Sequence, residues 1–397
     1  VIHIFLIFLR LGCLAFGGPV AHLAIFQDEF VARRRWLRET TYTELLALCQ
    51  LLPGPASSQV GFAVGIHRGG LAGGFAAWLG FTLPSAVVMA AAAYGLSFTG
   101  WLEYEGLMIG LKASAAAVVA HAIWQLGRKL CPGIEHLILA LAAMGVVLLI
   151  PSAWVQAAVI LLGGLYGALR FRLPDDAGKE TILIGRWPLT RLHGTLALGL
   201  FAVLLLGLPL LTMVAKEPLL QLTDAMFRSG SLVFGGGHVV LPLLEEEVVA
   251  PGWVQPENFL AGYGLAQAVP GPLFSFSAFL GGSLNEGFWA GSPWVGAVLA
   301  LVAIYVPAWL LVIGFIPFWE NWAGIPWIRR ALRGTNAVVV GLLLAAFYDP
   351  VCTEGLSTVG GIFLGVLGLI LLAAMRWPAW LVVLTVGVTG TFFFHAV

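Results

Sequence analysis

Apolar stretches close to the 20 or so residues that cross a bilayer follow one another along almost the whole chain, and this succession limits the fold more than any motif does. They lie around 1–26, 42–66, 70–98, 106–127, 135–150, 152–170, 191–214, 226–250, 258–284, 294–317, 331–347, 356–375 and 377–396. About thirteen such segments predict an all-α polytopic membrane protein, because a backbone inside hydrocarbon must bond to itself. Of 397 residues, 60% are hydrophobic and only 10% are charged. Soluble domains carry about 25% charged residues, so water cannot be the solvent for most of this surface.

Formal net charge is zero, which leaves no basic footprint for nucleic acid. Cys13, Cys49, Cys131 and Cys352 lie far apart without metal-ligand spacing, so neither a zinc site nor a disulfide framework is expected. No phosphate-binding loop, HExxH motif or soluble catalytic domain interrupts the segments, and neither enzymatic activity nor a cofactor is expected. The opening run Val1 to Leu9 reads as part of the first membrane segment and not as a cleaved leader, since Arg10 follows it without a small-residue cleavage site.

Self-comparison divides the chain. Arg10, Gly12, Leu14, Phe16, Gly17, Gly18 and Glu29 recur at one constant offset as Arg228, Gly230, Leu232, Phe234, Gly235, Gly236 and Glu247. One residue out of step, Trp36 meets Trp253, Gln50 meets Gln267, Pro53-Gly54-Pro55 meets Pro270-Gly271-Pro272, and Ser58 meets Ser275. Pro84 then matches Pro307, and Lys112 matches Arg333. The expected organisation is a repeat over 1–171, a linker with one connecting segment over 172–215, and a second repeat over 216–397. The first segment corresponds to the eighth, and seven crossings reverse direction, so the repeats are expected to be inverted, a transporter arrangement. A cytoplasmic N-terminus places Arg68, Arg128, Lys129, Arg329, Arg330 and Arg376 inside. Arg33, Arg34, Arg35 and Arg38 then fall outside, unless the first segment fails to cross.

The glycine runs Gly17-Gly18-Pro19 and Gly235-Gly236-Gly237, with the two Pro-Gly-Pro motifs, interrupt apolar helices at matching places. Proline removes a backbone donor and glycine permits unwound geometry, so matched breaks point to a central site. A half-helix that restarts after a break offers free N–H groups to an anion, and Ser57, Ser58, Gln59, Ser275 and Ser277 can add side-chain donors. Arg10, Arg228, Lys112 and Arg333 are candidates for offsetting anion charge. Glu29, Glu247 and Glu44 are candidates for carrying a coupling proton, and His22 and His238 lie just past the glycine runs.

The runs "FGGPVAHLAIFQDEFVARRRWL", "ELLALCQLLPGPASSQVGFAVGIHRGG", "GSLVFGGGHVVLPLLEEEVV" and "YGLAQAVPGPLFSFSAFLG" closely resemble the bacterial chromate ion transporter family in its long two-domain form. The resemblance implies export of chromate from the cytoplasm across the inner membrane, driven by membrane potential or a proton gradient. It implies roles for Gly17, Gly18, Pro19, His22, Gln50, Pro53, Gly54 and Pro55 and for their second-half counterparts, although Gly237 replaces Pro19 and Val240 replaces His22. Chromate or a related oxyanion and the bilayer are the expected partners, with a homodimer as an admissible assembly. A sulfate carrier and an uncoupled anion channel are the competing readings.

Overall fold

The computed structural model describes residues 1–15, 18–99, 105–150, 152–172, 187–234, 239–285, 288–289, 291–319 and 325–393. The described residues are almost entirely helical. Among the described residues five helices are long and apolar enough to cross a membrane: Ala56–Gly95, Gly106–Arg128, Arg191–Val214, Pro293–Phe318 and Pro326–Asp349.

The first half begins with α1 (Ile2–Leu14) and α2 (Gly18–Gln27), then α3 (Glu39–Leu51) and α4 (Ala56–Thr99). α4 bends at Gly69-Gly70, where Gly70 has φ +65°, so a short arm over 56–68 folds back on a long arm over 71–99. After α5 (Glu105–Leu130), α6 (Ile134–Leu149) and α7 (Ala153–Arg170), the connecting helix α8 (Arg191–Val214) turns most of its leucines outward, as a lipid-facing helix does. The second half repeats the order with α9 (Pro218–Leu232), α10 (Val240–Val248), α11 (Pro256–Ala268), α12 (Phe276–Gly282), α13 (Pro293–Phe315), α14 (Pro326–Ala346), α15 (Val359–Ala373) and α16 (Ala379–Phe393). Proline at the first position of α9, α11, α13 and α14 starts these helices where no N–H partner is needed.

The first apolar segment does not run through the molecule. α1 and α2 double back, so that Phe30 stacks on Phe8 at 4.9 Å and the Arg68 guanidinium sits 5.3 Å above the Trp36 ring. Arg33, Arg34, Arg35 and Arg38 therefore share one end of the molecule with Arg68, and the same end receives Trp187, 5.2 Å from His67. Of the two alternatives that the sequence leaves for these four arginines, an external loop or a first segment that does not cross, this turn agrees with the second: two half-length helices contain as many apolar residues as one full crossing. The segment expected at 42–66 divides in the same way into α3 and the short arm of α4. In the second half Asn285 donates its backbone N–H to the Trp253 carbonyl, and Phe288 stacks on Trp253 at 4.1 Å, which brings the end of the α9–α10 pair beside the start of α13.

The matching helices α4 and α13 run antiparallel. Along the long arm of α4, Phe75 meets Trp309 of α13 at 5.2 Å, Trp78 meets Tyr305 at 5.5 Å and Tyr94 meets Trp294 at 5.5 Å. The halves also exchange partners, since α5 packs on α15 and α16 while α14 packs on α6 and α7. Glycine makes the second exchange possible: a Cβ on Gly334 of α14 would overlap the Gly163 carbonyl of α7. Gly334→Leu is expected to cost about 1–3 kcal/mol and to lower the Tm of the detergent-purified protein. Gly199→Leu on α8, where a side chain meets open space, is expected to leave the Tm unchanged.

Candidate functional site

The four interrupted helices converge through two reciprocal backbone hydrogen bonds. Gly54 donates its N–H to the Val233 carbonyl at 2.7 Å, and Gly271 donates to the Ala15 carbonyl at 3.0 Å. Ala15 and Val233 occupy equivalent positions at the ends of α1 and α9, so each Pro-Gly-Pro loop closes the broken helix of the opposite half. Both glycines have positive φ, +122° and +110°, a conformation that side chains resist. Their surroundings correspond too: a Cβ on Gly54 would press on Ala308, and one on Gly271 on Ser85.

His22 braces this junction. Its Nε2 lies 3.0 Å from the Ala15 carbonyl and so carries the proton that it donates there. Nδ1 is then the acceptor facing the Ser57 hydroxyl at 3.4 Å, and Phe81 closes the pocket edge-on at 5.2 Å. Gln59 ties the first loop by donating from Nε2 to the Pro53 carbonyl at 2.7 Å. Pro55, Ser57, Ser58, Pro272 and Ser275 are buried at the two loops, Pro53, Pro270 and Gln267 are half-buried, and Gln50 is exposed. Gly18 opens α2 with Pro19 half-buried behind it; Gly17, Gly235, Gly236, Gly237 and His238 lie outside the described residues.

Beside the first loop is a buried group of polar side chains of which the sequence motifs point only to Ser58 and Gln59. Tyr305 of α13 turns its hydroxyl toward those of Ser58 and Thr82, both on α4. Among the described residues none of the three has a partner in conventional hydrogen-bond geometry, and the same holds for Gln59 Oε1 and the indole nitrogens of Trp78 and Trp309. Trp78 packs 4.5 Å from Trp309 and 5.5 Å from Tyr305, so the group is continuous across the two halves. Most buried polar atoms in proteins are hydrogen-bonded, which makes this concentration informative. The Pro84–Pro307 match places Thr82 opposite Tyr305 in the repeat, a signal that could have found the pair from sequence.

The charged candidates fall elsewhere. Arg228 grips Glu247 through both guanidinium ends at 2.6 and 2.9 Å and also bonds Asp224 through Nε at 3.0 Å. In the first half Glu29 is held by Arg34 at 2.6 Å and Arg33 at 3.2 Å. Burial raises the Glu29 carboxyl, but Arg34 and then Arg33 outweigh it and keep the group below its ordinary value. Arg10 is exposed on a recess of about 400 Å³ shared with Asp28, Glu29 and Arg33, and makes no ion pair among the described residues. Lys112 is half-buried on α5, Glu44 is half-buried on α3, and Arg333 donates to the Arg172 carbonyl at 2.9 Å, near the start of the linker. No group of His, Cys, Asp and Glu with metal-binding geometry occurs among the described residues.

Arg228→Ala strands two buried carboxylates and is expected to cost about 3–5 kcal/mol, whereas Arg10→Ala is expected to stay within about 0.5 kcal/mol. Thermal unfolding of the two purified variants measures the difference.

The family model described as Chromate transporter matches residues 2–168 and again 220–391. A chromate transport protein of Pseudomonas aeruginosa is 28% identical over 357 residues, covering 87% of this chain and 80% of that protein. A probable chromate transport protein of Synechococcus elongatus is 27% identical over 347 residues, covering 85% and 81%. An uncharacterised transporter of Bacillus subtilis is 29% identical over 184 residues, covering 45% of this chain and 89% of its own length, so a relative exists at half the size. No solved structure matches the chain. Two matches to one family model, together spanning most of a multi-pass apolar chain, show that the protein belongs to the chromate transporter family.

Proposed function

We propose that the protein is a secondary carrier that exports chromate from the cytoplasm across the bacterial inner membrane. The repeats are inverted in this reading, supported by the antiparallel course of α4 and α13 and by the reciprocal bonds of Gly54 and Gly271. The arginine-rich end faces the cytoplasm, as the positive-inside rule requires. Once the first segment turns back, Arg33, Arg34, Arg35 and Arg38 join Arg68, and the earlier exception to that rule disappears.

The observation that carries the proposal is the buried donor group at the junction of the halves. Hydroxyls of Ser58, Thr82 and Tyr305 and the indole N–H groups of Trp78 and Trp309 can all donate to a tetrahedral oxyanion. The first turn of α4 adds backbone N–H groups and the positive end of its dipole. Arg228 contributes no free charge, since two carboxylates already neutralise it. The transported dianion then keeps its charge through the membrane, and an inside-negative potential drives it outward by roughly 2.3 kcal/mol per charge per 100 mV. Proton coupling through Glu29 or Glu247 requires breaking an ion pair first.

Uptake of radiolabelled chromate into everted vesicles tests this reading. Wild-type protein is expected to accumulate chromate against its gradient, with loss on collapse of the potential. Tyr305→Phe is expected to reduce uptake roughly tenfold or more, the worth of a hydrogen bond to a charged group, while leaving Tm unchanged or raised because it deletes a buried unpaired hydroxyl. Equal uptake by Tyr305→Phe sinks the proposed site. Preferential sulfate movement makes the protein a carrier of another oxyanion, and flux that only follows the gradient makes it a channel.

A further inference from the structure

A second set of unpartnered buried nitrogens lies far from the central junction, at the arginine-rich end. There the start of α6, the end of α7 and the first turns of α14 enclose a recess of about 560 Å³. Arg170, Arg172 and Arg330 line it with His136, against one acid among the described residues, Glu135. Arg330 Nε and both ring nitrogens of His136 are buried without a partner among the described residues. The recess is built, not incidental: His136 stacks on Phe171 at 4.1 Å, and Arg333, from the other half, holds the Arg172 carbonyl at 2.9 Å.

Three guanidiniums and unpaired nitrogen donors around one concavity select a doubly acceptor-rich anion such as a phosphate. The walls identify its source. The recess opens onto outward-facing apolar side chains, Leu137 and Leu141 on α6, Leu165 and Leu169 on α7, and Trp327 on α14. A free oxyanion has no use for that surface, whereas acyl chains lie along it while their headgroup reaches the arginines.

We propose that this recess is a binding site for the phosphate headgroup of an anionic phospholipid in the cytoplasmic leaflet. Bound lipid would join α6 and α7 of the first half to α14 of the second at the place where the halves exchange helices. The site does not depend on what the protein transports, and its test involves no transport.

Native mass spectrometry of the full-length, delipidated protein tests it, using titrations with phosphatidylglycerol, cardiolipin, phosphatidylcholine and inorganic phosphate. Wild-type protein is expected to bind the two anionic lipids and not phosphatidylcholine. Each arginine is expected to contribute about fivefold in affinity, so the Arg170→Gln/Arg172→Gln/Arg330→Gln variant should bind them at least tenfold more weakly. Arg172→Glu serves where the triple variant does not fold, because its exposed side chain is changed while its carbonyl remains for Arg333. Arg128→Gln, in the last turn of α5 against Trp124 and outside the recess lining, is expected to weaken binding less than any of the three recess arginines does. Equal affinity of the wild type and the recess variants for phosphatidylglycerol overturns the proposal. Binding of inorganic phosphate that displaces the lipid, or phosphate binding without lipid binding, overturns the lipid assignment.

Discussion

The two bonds from Gly54 to Val233 and from Gly271 to Ala15 fix how everything else is arranged. A helix broken inside an apolar interior leaves carbonyl and N–H groups that hydrocarbon cannot satisfy, at several kcal/mol each. Here the Ala15 carbonyl of the first half accepts from Gly271 of the second as well as from His22, and the Val233 carbonyl of the second half accepts from Gly54 of the first. Neither half is complete without the other. The exchange of α5 and α14 between halves repeats the same dependence in packing, where Gly334 lies directly against the Gly163 carbonyl. A movement at one Pro-Gly-Pro loop must therefore be answered at the other half's broken helix, which is the coupling that an alternating carrier needs.

The halves are equivalent in backbone and unequal in charge. Arg228 is locked between Glu247 and Asp224, while its counterpart Arg10 faces an open recess and Glu29 is taken by Arg33 and Arg34. The difference traces to single positions: the repeat places Leu6 where the second half has Asp224, and the second half has no arginine pair where the first has Arg33 and Arg34. His22 adds to the asymmetry, because its bond to Ala15 has no counterpart at Val240. An inverted repeat with identical halves gives two states of equal energy, and such substitutions let one of them predominate.

Much of this was legible in the residues. The segment limits, the constant offset and the paired Gly/Pro breaks follow from apolar length and backbone chemistry, and α5, α6, α7, α8 and α13 begin and end close to where the apolar runs do. What misled was length itself: the 26 residues from Val1 to Phe26 suffice for one crossing or for two half-helices, and hydropathy does not distinguish them. The arginines from Arg33 to Arg38 held the answer, since their misplacement vanishes when the segment doubles back onto Arg68. Exchange of helices between halves leaves no local trace, because any glycine stripe can face a near or a distant partner. Thr82 and Tyr305 escaped because a lone hydroxyl in an apolar helix is ordinary, and only the repeat register puts the two opposite each other.

That register also bears on why a site for a dianion would be made from neutral donors. A fixed cation at the centre of an apolar protein binds a dianion strongly but holds it, and a carrier must release its cargo on every cycle. Hydroxyls and indole N–H groups offer directional bonds without that trap, and they leave the charge of the cargo exposed to the membrane potential. The arginines are instead spent where structure is at stake, as Arg228 is between two carboxylates, or gathered at one end, as Arg68 and its neighbours are. In the proposed carrier the protein's cations set its orientation and hold its hairpins, while the neutral pair at Thr82 and Tyr305 meets the anion where the two halves face each other.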